Sequence, residues 1–222
     1  NKNKWISFLA DGILSGLMLG VGGMVSLSSE NRFLGAFLFS LGLFCIVQFK
    51  YGLFTGKVGY IVNRDLPYVA ETAVTLVGNA LGTLIAALLL RQVRFFTSTV
   101  STMDVTISDR VQATVSGKIH DNPLSIFILA IFCGILMFTA VEGSRKCREE
   151  KNFTGSLFVV VMPVMVFIIC GFNHCIADMF YYFFAGCPEP SKAIVYFILA
   201  IAGNSVGGMI VPLLKKLSNQ PL

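Results

Sequence analysis

The sequence predicts an all-α membrane protein: six transmembrane helices in two inverted three-helix repeats, each repeat with one broken helix. Three observations carry that prediction. Of 222 residues, 55% are hydrophobic and only 13% charged, with a mean hydropathy of +0.76; soluble domains are roughly 25% charged. Apolar stretches recur near the ~20 residues that span a bilayer. Similar glycine-rich motifs appear in both halves of the chain. The chain reads as one transmembrane domain over 1–222, with repeat one at about 5–91, an outer loop at about 92–122 and repeat two at about 123–217.

The first span is expected at 5–27. Lys2 and Lys4 precede it as in a signal peptide, but the stretch is too long and no A-x-A site follows. The second covers 33–62; continued to Asn63 as one helix it would be about 46 Å long at ~1.5 Å per residue, too long for a membrane. It contains Lys50 and then "YGLFTGKVG", so it reads as a helix, an irregular loop and a short second helix. The third span is 67–90, the polar Ser/Thr/Val-rich segment 91–122 follows, and the fourth is 124–141. The fifth starts near 153 and breaks at Gly171, leaving a second half at about 174–185 that cannot cross alone; the sixth is 193–214. Irregular backbone at membrane depth is tolerated only where protein buries it or it lines a wet cavity.

Six spans put both termini on one side. Lys57, Arg64, Arg145, Lys146, Arg148, Lys151, Lys215 and Lys216 share that side, while the short opposite loops hold Arg32 and Lys192. The positive-inside rule makes the termini cytoplasmic and places 91–122 outside.

The repeat rests on motif pairs: "GLFTG" (52–56) before "GNALG" (78–82), "GFNHC" (171–175) before "GNSVGG" (203–208), and "GIL" at 12–14 and 134–136. An odd number of spans per unit forces opposite insertion. Such inverted repeats hold their site at the repeat interface near the midplane. Half-helix N-termini there are expected to present unpaired N–H groups that favour an anion. The four-residue glycine spacing of Gly12, Gly16 and Gly20 is a close-packing face. Asn79 and Asn204 read as interhelical hydrogen-bonding residues, with Asn204 within reach of His174.

Several classes are excluded. A net charge of +5, scattered, argues against nucleic acid. The six cysteines show no CxxC spacing, and His174-Cys175 has no second pair, so no metal or other cofactor is expected. An enzyme would need a partner for His174; Asp178 is one turn on, but no nucleophile joins them. A neutral-solute pore remains the alternative, though it would favour an Arg or paired Asn at the half-helix tips.

The chemistry concentrates in "CGFNHCIADMF" (170–180), which places Asn173, His174 and Asp178 in apolar surroundings, with Thr55 at the other break. Ionisable residues within spans are expensive and mark function. Phe and Leu side chains would strip water from an entering anion, which then needs a donor. A protonated or N–H-donating His174 supplies one, or it hands over a proton so that the neutral acid crosses. Lys118, Lys50 and Lys57 either draw anions to the mouths or snorkel to headgroups. Asp178, Asp11 and Glu71 read as capping, paired or interfacial, because a pore carboxylate would repel the substrate.

"GLFTGK", "VMPVMVFIICGFNHCIADMF" and "AGNSVGG" together resemble the formate/nitrite transporter family of formate, nitrite and hydrosulfide channels, over nearly the whole chain. The resemblance implies an aquaporin-like fold, a homopentamer in the cell membrane and one pore per protomer for small monovalent anions. It implies that His174 is the central pore histidine faced by Thr55, and that Asn204 lies near it. It further implies an apolar constriction at Leu53 and Phe54 on the cytoplasmic side, another at Phe39, Leu43 and Phe167, and Lys118 reaching in from the outer loop. Formate channels of the family usually carry Glu at Asn173 and Asn at Asp178. That departure leans the reading toward the hydrosulfide branch.

Overall fold

The computed structural model describes residues 2–100 and 104–219. Helix α1 (Lys2–Ser28) leads to α2 (Arg32–Gln48), the short α3 (Phe54–Lys57) continued by a 3-10 turn (Val58–Asn63), and α4 (Leu66–Arg91). The connecting segment pairs β1 (Thr99–Val100) antiparallel with β2 (Val105–Thr106) before α5 (Ile107–Ile119). Then come α6 (Pro123–Glu149), α7 (Phe153–Cys170), α8 (Cys175–Phe184) and α9 (Pro190–Leu217). The order helix, broken helix, helix thus occurs twice. Among the described residues α1, α4, α6, α7 and α9 are long and apolar enough to cross a membrane. The apolar α2, at 17 residues, falls just short and is completed by the α3 limb behind it.

Helix α5 was not expected. It begins with a capping box, in which Thr106 Oγ1 accepts from Asp109 N and Asp109 Oδ2 accepts from Thr106 N at 3.0 Å. It buries Ile107, Val111, Val115 and Ile119, an i, i+4 stripe diluted by Ser and Thr between its members.

Helices α1 and α4 pack together, as do α6 and α9, through residues without side chains. A Cβ on Gly16 would fall on the Asn79 carbonyl oxygen, and a Cβ on Gly134 on the Asn204 carbonyl oxygen. In lipid, where tails are as apolar as Leu, this close approach is what favours association. Outward faces carry exposed apolar side chains, among them Phe33, Leu88, Phe153 and Ile198.

The two breaks share one geometry. Helix α7 ends at Gly171 (φ 71), with Phe172 N donating to Phe167 O at 2.9 Å; α2 ends at Lys50 (φ 59), with Tyr51 N donating to Ile46 O at 2.9 Å. Both are left-handed helix stops closed by a 6→1 bond. Lys50 tolerates this at a cost of about 1 kcal/mol, which glycine avoids. Lys50 therefore corresponds to Gly171, Gly52 to Asn173, and Leu53 to His174. The motif pairing of Gly52 with Gly171 is out of register by two residues.

Candidate functional site

Both half-helices begin on a buried asparagine from the helix that closes their repeat. Asn79 Oδ1 accepts from Phe54 N at 2.8 Å, and its Nδ2 donates to Gly52 O and Gly12 O at 2.8 and 2.9 Å. Asn204 repeats the arrangement: Oδ1 accepts from Cys175 N at 2.9 Å, and Nδ2 donates to Asn173 O and Ala130 O, both at 2.8 Å. An amide serves here because it is the side chain that carries one acceptor and two donors. Each asparagine ties a half-helix tip, the irregular loop before it and a neighbouring helix. This corrects two expectations. The leading N–H of each half-helix is occupied rather than open to an anion, and Asn204 bonds the backbone on both sides of His174 rather than its ring. It also shifts the "GIL" pairing by one helical turn, since Gly12 and Ala130 play the same part.

The tips meet at one side-chain contact. Thr55 Oγ1 lies 3.1 Å from His174 Nε2, and both residues are buried. His174 stands at the N-cap of α8, where Nδ1 accepts from Ala177 N at 3.1 Å. That bond assigns the tautomer. With the Nδ1 lone pair engaged, the neutral ring carries its hydrogen on Nε2 and donates to Thr55. Thr55 accepts through a lone pair and keeps its own O–H as a donor. A second proton would have to enter at Nδ1 and evict the Ala177 N–H. Leu53, the corresponding cap residue of α3, has no side chain able to cap. The two half-helices therefore meet with one polar tip and one apolar tip.

Apolar residues enclose the pair. The Phe167 ring stacks on the His174 ring at 5.5 Å and meets Phe39 edge-on at 5.7 Å. Leu43, one turn beyond Phe39, is buried, as are Leu53 and Phe54. A cavity opens from each face toward this core. The one beside the 92–122 segment, about 420 Å³, is bordered by Phe167, Lys118, Asp178, Arg110, Arg32 and Glu30. The one on the side of the chain termini, about 150 Å³, is bordered by Leu53, Lys50, Lys57, Tyr60 and Arg148. Phe54, Phe39 and Leu43 border neither. Lys57 also lies 4.5 Å from the Phe8 ring centroid, so its stem and charge rest against an aromatic face.

Lys118 reaches in from α5. Its Nζ donates to Asn173 Oδ1 at 2.8 Å and pairs with Asp178 Oδ1 at 3.2 Å, while Asp178 Oδ2 accepts from Tyr196 Oη at 2.6 Å. Asn173 Nδ2 donates to Ile126 O at 3.2 Å. Lys118 is thus no headgroup anchor, and Asp178 is paired as expected. The carboxylate absent at Asn173 reappears one turn along α8, within reach of the same lysine. Tyr196 carried no sequence signal, because a tyrosine in an apolar span looks like any core aromatic. Arg32 and Arg148 counted only as topology charges in the sequence, yet both border cavities.

Re-entrant half-helices meeting tip to tip at a buried histidine define a transmembrane channel fold. The chain belongs to the formate/nitrite transporter family, whose profile matches residues 1–216. The formate channel FocA of Haemophilus influenzae is 26% identical over 192 residues, 81% of this chain and 66% of that one. An uncharacterised transporter of Bacillus subtilis, YrhG, is 26% identical over 92% of this chain and 81% of its own length. FocA of Escherichia coli K12 is 27% identical over 67% of this chain. The chain spans about two thirds of the Haemophilus channel's length (66%) and about half of the Escherichia channel's (52%). Among solved structures, a pentameric formate channel with formate bound is similar with a TM-score of 0.77 at 24% identity, covering 98% of both chains. An FNT family ion channel gives 0.78 at 17% identity over 99% of this chain and 90% of that one. These two likenesses bear on the fold.

Proposed function

We propose that this chain passes small monovalent anions across the cell membrane, as a protomer of a homopentamer with one passage per protomer and cytoplasmic termini. The observation that carries the reading is the alignment of three features. Each cavity is lined in part by an apolar residue that adjoins the buried Thr55–His174 contact: Phe167, which stacks on the His174 ring, on one face, and Leu53, two residues before Thr55, on the other. An anion entering a basic mouth sheds water at the apolar neck. It is met there by the Thr55 hydroxyl and by the His174 Nε2–H, which turns from Thr55 to the ion, two donors without formal charge. A neutral donor pair suits passage, since a fixed charge at that depth would hold an anion too tightly to release it.

Formate, nitrite and hydrosulfide form the substrate class. The formate-channel names of the relatives support formate as the first to test. The lean to hydrosulfide draws on the departures at Asn173 and Asp178 and on the short chain, and Asp178 supplies a carboxylate to the lysine that bonds Asn173. The test is uptake of the three anions and of glycerol into proteoliposomes holding the purified protein. The reading expects anion uptake well above protein-free vesicles, with glycerol unchanged. Glycerol uptake without anion uptake would establish a neutral-solute pore instead.

A further inference from the structure

The first limb of each broken helix ends at a mouth. The last-turn carbonyls of a helix lack intrahelical partners and carry roughly half a negative charge. At a mouth meant for anions that charge is repulsive. In both mouths an arginine from the other half of the chain answers it. Arg32, the first residue of α2, donates from Nη2 to Ile169 O in the last turn of α7 at 2.8 Å. Arg148, near the end of α6, donates from Nη1 to Val47 O in the last turn of α2. Arg32 borders the larger cavity and Arg148 the smaller one.

The other charges at each mouth differ in how they are engaged. At the larger mouth Lys118 is paired with Asp178, and Arg110 Nη1 donates to Leu27 O and Ser29 O at the end of α1. Glu30 adds a carboxylate there. At the smaller mouth Lys50 and Lys57 accompany Arg148. Lys50 itself lies at the end of α2, but among the described residues Arg32 and Arg148 are the charges whose side chains bond a last-turn carbonyl of the two interrupted helices. A guanidinium suits the position, because one N–H fixes the carbonyl while the planar fork keeps its charge and further donors.

We propose that Arg32 and Arg148 are a matched pair of entry charges, one at each mouth, that turn the negative end of each broken helix into an anion-attracting rim. This rests on the anion-channel reading. Each arginine favours entry from its own side, so losing one makes passage direction-dependent, and losing the second restores the balance.

The test is formate current through single channels in planar bilayers, read channel by channel as the ratio of currents at equal and opposite voltages. Arg32→Gln and Arg148→Gln keep a donor for the carbonyl and remove the charge. Each is expected to shift the ratio about two- to threefold at low salt, in opposite senses, with the shift fading near ~1 M salt. The double variant returns to the wild-type ratio at lower current, and Arg→Lys at either site keeps the wild-type ratio. Equal loss of current in both directions, or Lys variants that behave as Gln variants, overturns the proposal and leaves the arginines as staples. Should the Gln variants not assemble, wild type still decides. Rim charges keep local formate high, so current falls less than proportionally as formate is diluted from ~1 M to ~10 mM; strict proportionality overturns the proposal. Absence of any wild-type anion current would instead overturn the channel reading itself.

Discussion

Lys118 shows how one side chain serves both packing and site. It is 20% exposed, while its partner Asp178 is 5% exposed. Lys118→Met leaves a buried carboxylate without its charged partner, held by the Tyr196 hydroxyl and the His174 backbone. Stripping one partner from a fully buried pair costs about 3–5 kcal/mol; the partial exposure of Lys118 brings the expected loss to roughly 2 kcal/mol. Heating the detergent-solubilised protein and measuring the folded fraction should show this loss. Lys118→Met with Asp178→Asn should recover most of it, and a double variant no better than the single would remove the ion pair as the cause. Much at this scale was legible in advance. His174, Thr55 and Asn173 stand out as polar groups at the two breaks, where polarity is expensive, and Lys118, in a polar outer segment, is singled out by the family resemblance. What was not legible was who bonds whom. The direction of the Nδ1 bond, and hence the tautomer, depends on the N-cap geometry at His174, which no spacing rule reveals.

At the scale of elements, the half-helices depend on Asn79 and Asn204. Each asparagine is buried and makes three hydrogen bonds, and each lost bond costs about 1 kcal/mol, more where a backbone group is left unsatisfied. Asn79→Leu and Asn204→Leu should therefore each cost about 3 kcal/mol or more and sharply reduce the yield of pentamer on a sizing column. If either variant assembles at the wild-type yield, the capping account fails for that half. Leu53 marks the opposite case, an apolar tip that bonds nothing. Leu53→Ala widens a dewetted neck and should raise anion flux severalfold without changing assembly. Unchanged flux takes Leu53 out of the constriction. The breaks themselves were visible from overlong or interrupted apolar runs. Their register was not. Glycine matched to glycine by eye misplaced it by two residues, because Lys50 occupies the left-handed position that Gly171 fills in the other half. Helix α5 was hidden for a related reason, since its apolar stripe is only four residues among hydroxyl side chains.

The whole molecule was the most legible level. Composition and span count pointed to an all-α membrane protein, and the glycine spacings anticipated which helices pack closely. Topology follows from the same count. Cysteines replacing Lys4 and Ser218, on a background lacking the native six, should both resist an impermeant thiol reagent in intact cells. Labelling of one without the other breaks the shared-side arrangement. The central claim is that an anion crosses by way of the neutral donor His174 Nε2–H. His174→Asn tests it most directly, because asparagine is also a good N-cap and leaves α8 its start, while its shorter amide ends one atom short of the position of Nε2 and cannot replace the ring donor there. The measurement is formate uptake against pH in proteoliposomes of pentameric wild type and variant, corrected for formic acid leaking through lipid. A hydrogen bond to a charged group is worth about 1.5–3 kcal/mol, so uptake should fall roughly tenfold or more, with the same pH profile in both proteins. Undiminished uptake by the variant, or a pH dependence that disappears with the ring, would contradict the claim.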